Sequence, residues 1–358
     1  MPYLIIKKAG LYGAFSLLLL ISLNVKAQTT LELDEFNAAY LQYGETKDSQ
    51  PAIAREAARR AYELGKELFG ASSERSAMLA INYATLIEDE AESQIYLDEA
   101  IEIYQTVFGF GSTAMIDPLM RLGRTLNDQN RESLASQYYG RALQLAQSNL
   151  GEESSKAGSI ELELAAINLH EGDLDQSWGR LNRAKSILGN YSDAGSLSGL
   201  VRINLLTGEY FLARQQYLEA VGPLLASLEN FTRFPSANVT IRNRIALINV
   251  YDNLGDPASA TEHCLAIGAT RRLSEGENLR PVFTVIPEPL LESENRDPIR
   301  VEFLVDSQGF VRNPSVATEL GDDSLEKIVL DSISRFRFAP RFVDGKVVAS
   351  PDQFYVFR

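Results

Sequence analysis

Cysteine and histidine are almost missing from this chain of 358 residues. Cys264 is the single cysteine, so no disulfide can form within the chain. The two histidines, His170 and His263, lie far apart, with no cluster of Cys, Asp or Glu at the spacing that metal ligands need. The sequence therefore predicts no metal site and no cofactor, and each of these three side chains is expected to be packed in a core.

Positive charge is also in short supply. The chain carries 34 Lys and Arg against 48 Asp and Glu, a net charge of −14. Nucleic-acid binding needs a basic surface, so this composition excludes a general nucleic-acid-binding protein. A glycine-rich phosphate loop, a nucleophile elbow and a Ser/His/Asp arrangement are missing as well. An enzyme such as a hydrolase would need a converging site that the sequence does not display, so no enzymatic activity is predicted.

The N-terminus holds a long apolar run. A lysine pair at residues 7–8 precedes the stretch Leu11–Leu23, and Val25-Lys-Ala27 then places small residues where signal peptidase reads the chain. This pattern is typical of a secretory signal peptide over residues 1–27 and predicts an exported protein. The alternative is an uncleaved membrane anchor over residues 9–25, a stretch at the short end for a membrane span.

From residue 28 to 272 the sequence predicts helix after helix, and one pattern recurs in it six times. A small residue, a large residue and an alanine stand at positions i, i+4 and i+7, which places them on one helix face. Small residues let two helices approach closely while the large one fills the groove beside them, so these sets are expected to be buried. The sets are Ala54/Ala58/Ala61 (whose middle residue is small), Ser93/Leu97/Ala100, Ala135/Tyr139/Ala142, Ser177/Leu181/Ala184, Ala213/Tyr217/Ala220 and Ser259/His263/Ala266.

Short turns rich in glycine and proline separate the two helices of a pair, and about six pairs are predicted. Many second helices also stop at a glycine that suits a left-handed cap. The turns are Ser49-Gln-Pro51, Glu171-Gly-Asp173, Thr207-Gly-Glu209 and Leu254-Gly-Asp-Pro257, and the glycines are Gly70, Gly109, Gly151 and Gly189.

This array resembles the tetratricopeptide-repeat (TPR) family. The Ala-x-x-x-Tyr-x-x-Ala signature is clear in the third and fifth units, whereas the family's proline after each second helix is largely missing. The resemblance implies an α-solenoid that binds peptides or proteins on a concave face.

After the helices, the sequence period changes from 3.6 to two. A linker rich in proline and acidic residues is predicted over residues 273–298, followed by a small domain over residues 299–358. Alternation predicts its strands, and an apolar stripe at helical spacing predicts its helix, in the order β-β-α-β. The strands are predicted at 300–306, 310–318 and 352–358, with turns at 306–309 and 344–345, and the stripe is Leu325, Ile328, Val329, Ile333 and Phe336.

This order of elements resembles the C-terminal domain of the TonB family. The resemblance is carried by Val301-Glu-Phe-Leu-Val-Asp-Ser-Gln-Gly309, by Arg335-Phe-Arg-Phe-Ala-Pro340, by Asp344-Gly345 and by the closing aromatic strand. The predicted fold is therefore mostly α, a TPR-like solenoid followed by a small α+β domain. The resemblance implies a periplasmic location in Gram-negative bacteria and a grip on short peptides of outer-membrane receptors, by strand addition to the last strand.

The last strand is the predicted binding site, because an edge strand presents backbone N–H and C=O groups that accept another strand. Phe336 and Phe338 are expected to pack beneath the sheet. The candidate partner-binding residues are Gln353, Phe354, Tyr355, Val356, Phe357 and Arg358, and Arg335, Arg337 and Arg341 are candidate contacts that more often stay solvated.

Two functions are consistent with these modules. The first is a periplasmic adaptor that binds envelope proteins, including TonB-dependent outer-membrane receptors, or pairs with a second copy of itself through the last strand. The alternative is a membrane-anchored energy transducer for outer-membrane transport. Energised members of the TonB family keep an anchor that bears a histidine and a long proline-rich spacer, whereas residues 1–27 contain no histidine and helical repeats take the place of the spacer.

Overall fold

The computed structural model describes residues 31–47, 49–271, 276–287, 290, 297–318, 320 and 323–357. The predicted signal peptide or anchor and Arg358 lie outside these residues. Over the ranges described, no helix is both long and apolar enough to cross a membrane.

Consecutive helices form six pairs over the described residues of the repeat region, as predicted. A short 3-10 helix, Thr113–Met115, precedes the third pair. The pairs are α1 (31–46) with α2 (Pro51–Phe69), α3 (Glu74–Ala84) with α4 (Glu90–Phe108), α5 (Ile116–Asn127) with α6 (Glu132–Leu150), α7 (Ser155–His170) with α8 (Leu174–Leu188), α9 (Ala194–Ala213) with α10 (Tyr217–Glu229), and α11 (Asn238–Asn253) with α12 (Pro257–Gly268).

The chain divides into two compact units, Met1–Ile160 and Glu161–Arg358, and the division falls inside α7. The second unit holds the later helices and the C-terminal strands. Its helical part has successive apolar cores: one joins α7, α8 and α9, and the next joins α9, α10 and α11. Within this unit, each helix pair thus packs on the following pair, as in a helical-repeat array.

The first four small–large–alanine sets are buried as predicted, at most 2% exposed. In the fourth, the Ser177 hydroxyl also donates to the Ala165 carbonyl oxygen across the helix pair, at 2.9 Å. Small polar residues at these positions can therefore satisfy their hydroxyls on the backbone of the neighbouring helix.

The fifth and sixth sets are wrong in register. Ala213 ends α9 and Tyr217 begins α10, so they do not share a helix. The fully buried sets at i, i+4 and i+7 are instead Ala220/Leu224/Ser227 in α10 and Ala260/Cys264/Ile267 in α12. In the sixth unit, Ser259 is tied to the start of α12 because its hydroxyl donates to the Asp256 carboxylate at 2.6 Å.

The turn predicted at Thr207-Gly-Glu209 is also wrong, because these residues lie inside α9. Gly208 is needed there for close packing. A Cβ built on Gly208 would lie less than 3.0 Å from the Leu224 side chain, which is fully buried. The absent side chain therefore lets α10 approach α9.

Gly208→Ala is expected to destabilise the protein by about 1–3 kcal/mol, since the fully buried Leu224 side chain would have to shift to admit the new methyl group. Gly179 in α8 is the matched control, because nothing lies within 4 Å of a Cβ built there. Gly179→Ala should be neutral or stabilising by up to about 1 kcal/mol, as alanine is the better helix former. Urea denaturation followed by circular dichroism measures both. Equal effects of the two substitutions would contradict the packing role of Gly208.

Three of the four glycines predicted as left-handed caps have a positive φ, but their ψ of 137° to 153° lies outside the left-handed helical region. Gly70, Gly109 and Gly151 have φ of 88°, 89° and 96°, a region that side chains disfavour. Gly189 differs, because its φ of −63° is an ordinary helical value.

The C-terminal strands and helix follow the predicted β-β-α-β order, with four short strands added. The main sheet is antiparallel in the order β3-β2-β7, and β1–β4 and β5–β6 form two further pairs. The elements are β1 (Pro281–Phe283), β2 (Ile299–Val305), β3 (Val311–Val316), α13 (Asp323–Ser334), β4 (Arg337–Phe338), β5 (Arg341–Val343), β6 (Lys346–Val348) and β7 (Ser350–Phe357).

One apolar core lies beneath the main sheet and includes the predicted helix stripe. Val329, Ile333, Phe336 and Phe338 are fully buried, and Leu325 and Ile328 pack against this core at its margin. The expectation that Phe336 and Phe338 pack beneath the sheet is confirmed.

Part of the predicted linker is structured. β1 pairs with β4, and Leu279, just before β1, is 2% exposed in the core beneath the sheet. Val282 of β1 and Ala339 share a second core with Cys264 and Ile267 of α12. The C-terminal strands are thus packed on the last helix pair.

Candidate functional site at the edge of the C-terminal sheet

β7 lies at one edge of the main sheet, with β2 as its neighbour. The antiparallel register runs from Ile299 opposite Phe357 to Phe303 opposite Gln353. The side chains of Tyr355 and Phe357 face the core, where the Tyr355 ring meets Phe336 at a centroid distance of 5.1 Å. These contacts anchor β7 from below.

The alternate residues of β7 face the other side of the sheet. The guanidinium of Arg300 lies over the Phe354 ring at 4.1 Å, and both Phe354 and Val356 are half-buried. Such a cation–π contact adds about 0.5–1 kcal/mol at an exposed position. This face is therefore partly apolar and partly charged.

Backbone parity shows which groups of β7 point away from β2. In an antiparallel pair, the N–H and C=O groups of alternate residues point away from the partner strand. Those of Phe354 point to the edge, because both bond outside the β2 ladder, and Val356 has the same parity. The other edge of the sheet, β3, is a poorer template, since Pro314 has no N–H and Asn313 has a φ of 51°.

Residues 277–279 of the same chain lie along part of this edge. The Asn278 side-chain amide donates to the Phe354 carbonyl oxygen at 2.9 Å, and its oxygen accepts from the Phe354 N–H at 3.0 Å. The Leu279 N–H donates to the Gln353 side-chain oxygen at 2.6 Å. Arg341 donates to the Glu277 carbonyl oxygen at 2.6 Å. Three residues predicted to contact a partner, Gln353, Phe354 and Arg341, thus contact the chain itself.

Arg337 does not fit its prediction as a solvated charge or a partner contact. It is 2% exposed, and its guanidinium donates to the Asp252 carboxylate at 2.8 Å and to the Thr261 hydroxyl at 2.6 Å. It also lies 3.9 Å from the centre of the Phe310 ring. Arg337 therefore joins the C-terminal strands to α11 and α12, whereas Arg335 is exposed.

The electrostatics of the Arg337 contact are set by burial. Burial raises the pKa of the Asp252 carboxyl, and the charge and hydrogen bond of Arg337 act in the opposite direction. Neither Asp252 nor Thr261 was singled out by the sequence, and Asn278 was missed as well. Their partners lie 76 to 85 residues away along the chain, so no local pattern marks them.

The single cysteine and the two histidines divide between core and surface. Cys264 is fully buried as expected, and burial raises the pKa of its thiol to about 11. His263 is buried, and burial together with the charge of Arg244 lowers its pKa to about 4. His170 is exposed, so its predicted core position is wrong. Over the residues that the structure describes, no group of three His, Cys, Asp or Glu could hold a metal ion.

Comparisons with known proteins place the chain near two solved structures at low identity. No protein-family model matches the chain, and no curated protein sequence matches it. The chain is similar to BtubC (BKLC) from P. vanneervenii, with 16% identity, a TM-score of 0.44, and coverage of 67% of this chain and 96% of that one. It is also similar to the apo form of RapI, with 16% identity, a TM-score of 0.39, and coverage of 66% and 64%. The helical-repeat fold therefore rests on the six helix pairs themselves.

Proposed function

We propose that this chain is a non-enzymatic adaptor that binds proteins of the cell envelope, including outer-membrane receptors, and that β7 takes an extended partner strand. The observation that carries the proposal is the edge position of β7, where the N–H and C=O groups of Val356 point away from β2. Backbone groups of this kind pair with an added strand. The bonds of Asn278 to Phe354 support the proposal, because they provide the donor and acceptor that a partner strand would bring.

The repeat array supports a second binding surface. Ion pairs link the first helices of successive pairs: Glu163 of α7 meets Arg202 of α9 at 2.8 Å, and Glu209 of α9 meets Arg242 of α11 at 2.5 Å. The two arginines remain 40% and 61% exposed. In helical-repeat proteins the face that successive units share binds the partner. We assign that role to the face of the first helices that carries these two ion pairs.

The location of the adaptor in the periplasm rests on the signal peptide predicted over residues 1–27. The alternative, a membrane-anchored energy transducer, needs residues 9–25 to be retained. The contacts of Arg337 with α11 and α12 favour the adaptor, because they tie the C-terminal strands to the repeats, whereas a transducer of the TonB type reaches its receptor on a spacer. N-terminal sequencing of the mature protein distinguishes the two, since a chain that starts at Gln28 has lost the anchor.

Val356→Pro is expected to weaken partner binding at least tenfold, an effect of about 1.4 kcal/mol. Proline removes the outward N–H of Val356 but leaves the ladder to β2 intact, because that N–H does not face β2. A photo-crosslinker at Phe354, on the face of β7 that points away from the core, first identifies the partner in cells, and calorimetry with the purified partner then gives the affinities.

Val356→Ala is the matched control, since it shortens the side chain and keeps the N–H. It should bind nearly as well as the unaltered chain. If the proline and alanine variants bound the crosslinked partner equally well, strand addition at β7 would be excluded.

A further inference from the structure

Asn278 occupies the β7 edge in the way a neighbouring strand would. Its side-chain amide both donates to and accepts from the backbone of Phe354, at 2.9 and 3.0 Å. A residue of an added antiparallel strand would make the same two bonds. A partner strand therefore cannot pair with Phe354 while Asn278 holds this position.

The segment that carries Asn278 is held on both sides. Before it, the Glu277 carbonyl accepts from Arg341. After it, the Leu279 N–H donates to Gln353, which is 4% exposed, and the Leu279 side chain is buried in the core beneath the sheet. Asn278 and Leu279 therefore contact β7 through the Phe354 backbone and the Gln353 side chain, while Arg341 of β5 holds the residue before them.

The rest of the edge offers little length for pairing. Towards its N-terminal end β7 is irregular, because Asp352 has a φ of 53° and the register with β2 shifts between Phe303 and Val305. Within the described part of β7, Phe354 and Val356 are the outward positions in the regular stretch. Of these two positions, Asn278 takes Phe354 and leaves Val356 for a partner, whereas strand addition needs several consecutive bonds.

We propose that Asn278 is a displaceable plug on the β7 edge, and that an extended partner must displace its side chain before it can pair with Phe354. This inference rests on the proposed strand addition at β7 and adds its regulation. The plugged edge is protected from unwanted strand pairing, a hazard that native proteins commonly reduce by covering or charging their edges. The plug makes two hydrogen bonds, both to Phe354. The need to displace it therefore lowers the affinity of a partner strand for β7 without preventing binding.

The first test measures the plug without any partner. Amide hydrogen exchange of the full chain should be slow at both Phe354 and Tyr355, because Asn278 protects the first and β2 protects the second. In Asn278→Ala, exchange at Phe354 should become at least tenfold faster while exchange at Tyr355 stays unchanged. Unchanged exchange at Phe354 would overturn the proposal.

The second test measures strand binding with a synthetic probe, an acetylated and amidated peptide of alternating threonine and valine with a terminal lysine. We expect Asn278→Ala to bind this peptide about tenfold more tightly than the unaltered chain does. The affinities are measured in NMR titrations from the amide shifts of Phe354 and Val356. Asn190→Ala, the same change at an exposed position outside the C-terminal strands, is the control and should leave the affinity unchanged. The double variant Asn278→Ala/Val356→Pro should lose the gain.

The outcomes separate the plug from strand addition itself. Equal affinity of the Asn278→Ala variant and the unaltered chain would overturn the plug and leave strand addition in place. Faster exchange at Phe354 without peptide binding to either protein would overturn both. A gain in affinity that survives Val356→Pro would place the peptide elsewhere and overturn the proposal too.

Discussion

Arg337→Ala is expected to lower the free energy of unfolding by about 3–5 kcal/mol, the usual cost of removing one partner of a buried ion pair. Arg337 is 3% exposed in its side chain and Asp252 is 16% exposed, so solvent screens this pair little. The alanine variant leaves the Asp252 carboxylate buried without its counter-charge and leaves the Thr261 hydroxyl without its donor. It also opens a cavity beside the Phe310 ring.

The loss in Arg337→Ala should depend on pH in a definite direction. Burial already raises the pKa of Asp252 in the folded protein, and removal of the guanidinium raises it further. The folded state then holds a proton that the unfolded state has released above its pKa of about 3.9. The unfolding free energy therefore falls as pH rises from about 4 through the folded pKa, so the deficit against the unaltered chain is smaller at pH 4 than at pH 7.

Two controls isolate the charge effect. Arg335→Ala, at an exposed neighbouring position, should change stability by less than about 0.5 kcal/mol. Arg337→Met with Asp252→Asn removes both charges and should recover much of the loss. Urea denaturation at pH 4 and pH 7 measures all three variants. A loss in Arg337→Ala that is the same at both pH values would show that the buried carboxylate is not its cause.

Phe336→Ala is expected to cost about 3–5 kcal/mol and to loosen β7. Phe336 is fully buried, and its ring meets Tyr355 at 5.1 Å and Phe357 at 5.9 Å between centroids. The cavity left by alanine lies directly beneath the strand that the proposed function uses. Urea denaturation gives the stability, and amide exchange at Tyr355 should quicken.

Phe354→Ala is the matched control for this prediction, because it removes the same ring from the opposite face of the sheet. Phe354 is half-buried and touches Arg300, so we expect a loss of about 1 kcal/mol or less. Equal costs of the two substitutions would contradict the assignment of Phe336 to the core and Phe354 to the open face.

The sequence predicted the elements well where a local period carries the information. The six helix pairs, the first four buried small–large–alanine sets and the alternating strands all depend on the spacing of residues within one element. The fold class follows from these. The error at Gly208 shows the limit of such reasoning, because a glycine that ends a helix and a glycine that admits a neighbouring helix look alike in sequence.

The candidate site was predicted in part. The sequence pointed to the last strand, and the structure places β7 at the edge of the main sheet. The sequence did not reveal that Asn278, 76 residues earlier in the chain, occupies that edge. It also assigned Arg337 to the surface, since arginine is rarely buried unless it is paired.

By itself, then, the sequence determined which segments are helices and strands and which of their faces are apolar, because these depend on periods of 3.6 and two. The tertiary structure alone decided which polar groups meet across the chain. Asn278 reaches Phe354, and Arg337 reaches Asp252 across 85 residues, only because the packed cores bring these elements together. Such pairings are set by the geometry of packing and leave no repeating mark in the sequence.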